Sequence, residues 1–219
     1  MRHFQNGEKG FTLLELLIVI GILAILATTM VLIINPAELL RRARDSQRIS
    51  DLSTLKIAIG YYITNSATPY LGGASTNDTC ANGTTKTMWS TADGVSATGW
   101  TPWTYSEVNL QKVDGTGWVP IDFSSLTGGS PIGALPVDPT NSGATDNPSL
   151  YYVYTCEANN LAFEIDANME SAYYETGGPG DVESNDGGDN DYLYEVGTIL
   201  TDSSVMPNAT STNFFPYAD

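Results

Sequence analysis

The most pronounced pattern in the sequence is a continuous apolar run near its N-terminus. Residues 11–34 form 24 consecutive positions with a single ionisable side chain, Glu15. A run of this length is sufficient to cross a bilayer as an α-helix. It is too long for the apolar core of a cleavable secretory signal, which spans about 7–15 residues. The pattern therefore predicts an uncleaved spanning helix over 11–34.

An amphipathic pattern follows the apolar run. Apolar positions recur every three or four residues as far as residue 64, with charged side chains between them, which is typical of a helix that lays one face on a core. The two patterns together predict one helix over 11–64, about 80 Å long. We expect a kink at Asn35-Pro36, because proline lacks a backbone donor and clashes with the preceding turn. Pro36 thus divides the helix into an apolar half and an amphipathic half, 35–64.

The remainder of the chain, 65–219, has a different composition. It is rich in Gly, Ser, Thr, Asn and aromatic residues, which favours β-strands joined by long loops. Segment 72–99 has few apolar residues and is predicted to be a loop. The predicted strands are Leu150–Cys156, Leu161–Asp166, Trp118–Phe123 and Tyr192–Leu200. Short links between consecutive strands predict antiparallel pairing.

Charge is distributed very unevenly along the chain. Residues 1–56 carry 7 basic and 5 acidic side chains, whereas 57–219 carry 2 basic and 20 acidic ones. This asymmetry suggests an anchoring segment attached to a soluble acidic body. A formal net charge of −16 disfavours nucleic-acid binding. The single histidine, His3, stands near the start, so removal of the N-terminus would leave no imidazole for catalysis or zinc binding. We therefore predict that the protein is not an enzyme.

Two features are unusual for a simple membrane anchor. Glu15 stands five residues into the apolar run, where an unpaired carboxylate in lipid costs about 2–3 kcal/mol. Two basic residues precede the run and four arginines follow it within 41–48. Charge counting alone would therefore place the large domain in the cytoplasm.

These residues carry a resemblance to a known family. The segment Lys9-Gly10-Phe11-Thr12-Leu13-Leu14-Glu15-Leu16 resembles the class III leader junction of type IV prepilins and type II secretion pseudopilins. In that family a membrane peptidase cuts after the glycine and methylates the new N-terminus. The resemblance implies a leader over 1–10, cleavage after Gly10 and N-methylation of Phe11. It assigns Glu15 a role in assembly, in which its carboxylate meets the N-terminal ammonium of a neighbouring subunit.

The resemblance also implies a fold and a function. The fold would be α+β, with a long kinked N-terminal helix packed on a small antiparallel sheet with long loops, as in pilins. Segment 44–62 is similar to the second half of the pilin helix, and Leu135-Pro136-Val137-Asp138-Pro139 resembles the turn that leads into the sheet. The function would be that of a structural subunit of a type IV pilus or a type II secretion pseudopilus. The alternative is a membrane-tethered, non-polymerising surface adhesion or binding module.

Partners and location follow from the same resemblance. The expected partners are further copies of the chain, other pilins or pseudopilins, the prepilin peptidase, the inner-membrane assembly platform and, before assembly, the lipid bilayer. The protein would cross the inner membrane once, with the acidic domain 65–219 outside the cytoplasm. It would then enter an extracellular or periplasmic filament. Cys80 and Cys156 would pair in that oxidising compartment, the alternative being two free thiols.

An acidic loop is the remaining candidate site. It places five carboxylates within eleven residues: Asp181, Glu183, Asp186, Asp189 and Asp191. Oxygen-rich loops suit Ca²⁺, although the spacing does not fit an EF-hand. Major pseudopilins as a group have a calcium site in a late loop, so the resemblance supports a structural calcium ion here. The alternative is a solvated acidic loop, and no cofactor is required for the expected function.

Overall fold

The computed structural model describes residues 10–73, 77, 80, 87–95, 100–102, 106–143, 149–158, 160–198 and 200. Leader residues 1–9 and the C-terminal residues 201–219 lie outside this part of the chain. The chain divides into two compact units, Met1–Leu40 and Arg41–Asp219.

Two helices replace the single helix expected over 11–64. Helix α1 spans Leu13–Ile34 and helix α2 spans Pro36–Asn65. Asn35, between them, has a left-handed backbone with φ 44° and ψ 76°, a conformation that asparagine tolerates better than most residues. The following proline disfavours helical geometry at residue 35. The interruption expected at Asn35-Pro36 is therefore a break between two helices.

Helix α2 buries one face, as its amphipathic pattern predicts. Leu52, Leu55 and Ile59 are fully buried, and Tyr62 extends the same stripe by one further turn. The spacing of three and four residues keeps these side chains on one side of the helix. They belong to a core that includes Trp118, Tyr152, Tyr154, Phe163 and Ile165. Helix α2 is thus an integral layer of the globular body.

The body contains a five-stranded sheet, and the predicted α+β fold is confirmed. The strands are β1 Thr87–Ser90, β2 Thr101–Pro102, β3 Tyr152–Glu157, β4 Ala162–Ala167 and β5 Tyr194–Gly197. Their spatial order is β2-β1-β3-β4-β5. The β1–β3, β3–β4 and β4–β5 pairs are antiparallel, whereas β1 and β2 are parallel. The predicted hairpin of the two best strands is β3–β4.

Two local predictions are wrong. Segment 72–99 was expected to be a loop, yet it contains β1, because Trp89 pairs with Tyr154 of β3 and packs into the core. Trp118–Phe123 was expected to be a strand, but it forms turns, one isolated bridge at Asp122 and the start of a 3₁₀ turn. Its apolar side chains are buried all the same. The apolar pattern of this segment therefore indicates buried side chains, but the segment does not pair as a β-strand.

The two faces of the sheet carry different side chains, since successive residues of a strand point to opposite sides. Phe163 and Ile165 of β4 face the core formed with α2. Alternation places Glu164 and Asp166 on the other face. That face also holds a small apolar cluster, which consists of Met88, Ala92, Val95, Trp100, Tyr151, Val153 and Leu193.

Candidate functional site

The leader junction lies immediately before α1. Gly10 and Phe11 precede the helix, and the Phe11 side chain is 89% exposed. Thr12 caps the helix. Its side chain accepts a hydrogen bond from the backbone N–H of Glu15 at 3.2 Å, and the Glu15 carboxylate accepts one from the backbone N–H of Thr12 at 2.8 Å. This reciprocal capping box satisfies two backbone donors that a helix N-terminus otherwise leaves unpaired.

The capping box adds a partner for Glu15 that the sequence analysis missed. The hydroxyl of Thr12 also donates to the Glu15 carboxylate at 2.9 Å. The Thr-x-x-Glu spacing is the usual signature of a capping box and could have revealed it. Because these bonds lie within a single helical turn, the carboxylate of Glu15 is hydrogen-bonded even in an isolated chain.

Helix α1 exposes its apolar side chains on all sides. Of the described residues, one segment is long and apolar enough to cross a membrane: Leu13–Val31, 19 residues with a mean hydropathy of 2.5. Within it, Leu13 is 82% exposed and Ile25 is 67% exposed. A continuous exposed apolar surface of this kind marks contact with lipid or with another protein.

The comparison with known families identifies this N-terminal segment. Residues 5–31 match the family model for the prokaryotic N-terminal methylation motif. The chain carries a class III leader of the prepilin type. The predicted processing residues Gly10 and Phe11 and the predicted assembly residue Glu15 lie within the matched range. No curated protein and no solved structure shows significant similarity to the chain.

The prepilin-type leader, together with α1, supports a membrane-anchored precursor of the type IV pilin or pseudopilin type. The motif implies processing by a prepilin peptidase, and it points to a structural protein. The individual roles of Gly10, Phe11 and Glu15 stay predictions. Residues 5–9 of the matched range lie outside the described part of the chain.

A disulfide joins two distant parts of the body. Cys80 and Cys156 are bonded, with Cα atoms 4.8 Å apart and 76 positions of sequence between them. Both are fully buried, and Cys156 belongs to β3. The bond therefore fixes the long connection after α2 to the central part of the sheet.

A buried ionic network attaches α2 to two loops of the body. The guanidinium of Arg48 is fully buried and donates to Asp138 at 2.6 and 3.0 Å, to Asp45 at 2.7 Å and to Glu170 at 2.9 Å. Arg44 donates to the same Glu170 at 2.5 and 2.9 Å. Burial lowers the pKa of Arg48, but its hydrogen bonds with Asp138 and Glu170 outweigh this and raise it. Arg48 therefore stays charged inside the body.

This network could not be recognised from the sequence pattern. Periodicity alone describes Arg44 and Arg48 as charges on a solvated helix face, because Asp138 and Glu170, the partners outside the helix, are 90 to 126 positions away along the chain. The Leu135–Pro139 turn contains one such partner, Asp138, but nothing in the sequence connects it to Arg48.

The acidic loop 181–191 places its five carboxylates in two kinds of environment. Asp181 accepts hydrogen bonds from the backbone of Gly177 and Ser184. Glu183 is buried and accepts from the backbone of Met169 and Thr176 at 3.1 and 2.9 Å. Asp186 accepts from the backbone of Gly188 and Glu195 at 2.8 and 2.6 Å. The remaining two, Asp189 and Asp191, are exposed. Calcium binding by these five residues stays a prediction.

A second group of carboxylates lies beneath this loop, on the sheet. One oxygen from each of Glu164, Asp166 and Glu195 lies within 4.8 Å of the other two. Burial, together with the neighbouring carboxylates, raises the pKa of Glu164 and of Asp166 above their usual values, and burial raises the pKa of Glu195 to about 7. The alternating pattern Phe163-Glu164-Ile165-Asp166 could have placed two of them on one face, but not their burial.

Proposed function

We propose that this protein is a filament subunit of the type IV pilus or type II secretion pseudopilus kind, cleaved after Gly10 and methylated at Phe11. One observation carries the proposal: residues 5–31, which match the prokaryotic N-terminal methylation motif, include most of a helix whose apolar side chains are exposed on every side. Such a helix requires an apolar environment, first lipid and then the helices of neighbouring subunits.

Processing and assembly are compatible in this arrangement. Cleavage after Gly10 leaves α1 and its capping box intact, since the helix begins at Leu13 and its capping residue is Thr12. It also creates a new ammonium at Phe11, close to the head of the helix. In a bundle of such helices, the carboxylate of Glu15 pairs with the ammonium of a neighbouring copy and offsets the desolvation of both charges. The two hydrogen bonds that Thr12 donates to the carboxylate hold it in position for this contact.

The body then forms the outer part of the filament. It contributes 20 acidic and 2 basic side chains over residues 57–219, and the disulfide and the Arg48 network keep it compact once it is outside the cytoplasm. The partners are other copies of the chain, related pilins, the prepilin peptidase and the inner-membrane assembly platform. No catalytic role is proposed.

The test is substitution of Glu15. We expect Glu15→Ala to be inserted in the membrane and cleaved, but to be absent from filaments sheared from the cell surface. Thr28→Ala is the matched control, because Thr28 is a polar residue of the same helix whose hydroxyl bonds to the carbonyl of Ala24 in that helix. Quantitative immunoblots of the sheared and membrane fractions measure the outcome. Normal surface assembly of Glu15→Ala would contradict the proposal and favour a tethered module that does not polymerise.

A further inference from the structure

The body contains a cluster of buried carboxylates that filament assembly does not use. Glu164, Asp166 and Glu195 are 1%, 2% and 3% exposed and come from the adjacent strands β4 and β5. Asp166 stands directly opposite Glu195 in the β4–β5 register. Like charges in such a pair destabilise a sheet, so the arrangement calls for a compensating positive charge.

Oxygen atoms in this cluster lack partners. Within the described part of the chain, Oε1 of Glu164, Oδ1 of Asp166 and Oγ1 of Thr155 are buried and have no hydrogen-bond partner. Thr155 is fully buried and pairs with Glu164 in the β3–β4 register, so its hydroxyl lies on the same face. Buried polar atoms are nearly always satisfied in proteins. Three unsatisfied oxygens on one face of a sheet therefore point to a missing electropositive partner.

The described residues around the cluster provide no basic side chain for this role, and Lys86, which precedes β1, lies outside them. Residues 149–200, which contain β3, β4 and β5, include 11 Asp or Glu and no Lys, Arg or His. Arg44 and Arg48 are both hydrogen-bonded to Glu170. Among the described residues, no salt bridge connects a basic group to the cluster. Protonation of the carboxyl groups or a cation from solution can compensate this charge, and a cation would also provide a partner for the unpaired oxygens.

We propose that Glu164, Asp166 and Glu195 bind one Ca²⁺ ion, with the hydroxyl of Thr155 as a further oxygen ligand. Calcium accepts six to eight oxygen ligands at about 2.3–2.6 Å. Two ligands on opposite sides of the ion are then about 4.8 Å apart, and the three carboxylate oxygens lie within 4.8 Å of one another. Magnesium requires shorter distances, about 2.0–2.1 Å, and nearly ideal octahedral geometry. Waters complete the coordination.

The acidic loop closes over this site. The backbone N–H of Asn190 donates to Oε2 of Glu195 at 3.0 Å, and Oδ2 of Asp186 accepts from the backbone N–H of Glu195 at 2.6 Å. A Cβ atom at Gly188 would stand 1.8 Å from Oε2 of Glu195, so only glycine permits this approach. Ion binding on the sheet therefore also fixes the loop. This assignment differs from the site predicted within the loop, which depends on Asp189 and Asp191.

The test compares two double variants with the wild type, each as the full-length chain in detergent. Thermal unfolding is followed in EDTA, in Ca²⁺ and in Mg²⁺ at equal concentrations. We expect Ca²⁺ to raise the midpoint of the wild type by at least about 5 °C. The variant Glu164→Gln with Asp166→Asn should lose this shift. Its midpoint in EDTA should equal or exceed that of the wild type, because the amides keep the side-chain shape and remove the repulsion. The control variant, Asp189→Asn with Asp191→Asn, should keep the shift.

Several outcomes would overturn the assignment. Absence of a Ca²⁺ shift in the wild type would do so, as would a shift that survives in the Glu164/Asp166 variant and disappears in the loop variant. An equal shift with Mg²⁺ would contradict selection of calcium. Equilibrium dialysis of the wild type against ⁴⁵Ca²⁺ needs no variant: one ion per chain is expected, and no binding at about 1 mM free Ca²⁺ would contradict the site. None of these readings depends on filament assembly, so failure here leaves the proposed function unaffected.

Discussion

Helix α1 and the globular body treat charge and apolar surface in opposite ways. In α1 the apolar side chains are outside, with Leu13 82% exposed. In the body the apolar side chains are inside, and so are several charges, of which Arg48 is fully buried. The body buries its apolar side chains in its own core, whereas α1 needs an external apolar environment to cover them. The difference separates a part with a buried core from a helix whose apolar side chains are exposed.

A second contrast lies within the body, between two groups of buried charge. The Arg48 network combines two arginines with three carboxylates through hydrogen bonds of 2.5 to 3.0 Å. The Glu164 cluster contains three carboxylates and unpartnered oxygens. Buried ion pairs persist when their hydrogen bonds are complete. The carboxylates of the network are paired with arginines of the same chain. In our proposal the carboxylates of the cluster are paired with a bound cation.

The largest expected effect on the stability of the body comes from the disulfide. Replacement of Cys80 and Cys156 by alanine should lower the free energy of unfolding by about 4–5 kcal/mol, because the bond closes a long loop in the unfolded chain. Urea unfolding of the full-length chain in detergent, followed by tryptophan fluorescence, measures it. Reduction of the wild type should produce a similar loss. A loss below about 1 kcal/mol would mean that the body does not depend on this bond.

The next effect concerns the buried network. Arg48→Ala should lower the free energy of unfolding by about 3–5 kcal/mol, because it leaves Asp138 and Asp45 buried without their cation. Arg41→Ala is the matched control, since Arg41 is an exposed residue of the same helix. Its effect should stay within about 0.5 kcal/mol. The same urea titration serves for both variants. Equal losses in the free energy of unfolding would mean that the buried network stabilises the fold no more than an exposed arginine does.

The smallest effect is a pH dependence at Glu170. Burial would raise the pKa of Glu170, but hydrogen bonds from Arg44 and Arg48 outweigh it and lower that pKa. The ionised carboxylate therefore stabilises the fold fully above its unfolded-state pKa of 4.5, and this contribution is lost as the pH falls through the lower folded-state value. Glu170→Gln should be less stable by about 1–2 kcal/mol at pH 7.

The same variant should show a flatter decline in stability below about pH 4.5. Thermal midpoints of the wild type and Glu170→Gln, measured between pH 3 and pH 7, test this directly. Parallel curves for the two proteins would indicate that Glu170 is not coupled to the arginines in solution.

The sequence predicts those parts of the molecule that depend on local pattern. The apolar run predicts α1, the spacing of Leu52, Leu55 and Ile59 predicts the buried face of α2, and the alternating segments after residue 150 predict β3 and β4 to within two residues. The leader junction is recognisable for the same reason, because its residues are consecutive.

What the sequence does not predict depends on contacts between distant segments. Strand β1 is short and exists because Trp89 and Ser90 pair with β3, more than 60 positions later. One partner of Arg48, Asp138, is 90 positions away along the chain. The carboxylate cluster is visible as an alternating pattern, but its burial depends on a loop folded over the sheet.

The central claim is that the chain is processed at its leader junction and then assembled. It is tested most directly by mass spectrometry of the native N-terminus, on material sheared from the cell surface and on the membrane fraction. We predict that the sheared material begins at N-methylated Phe11. A chain that begins at Met1 and is found only in the membrane fraction would contradict the account and leave a tethered protein that does not polymerise.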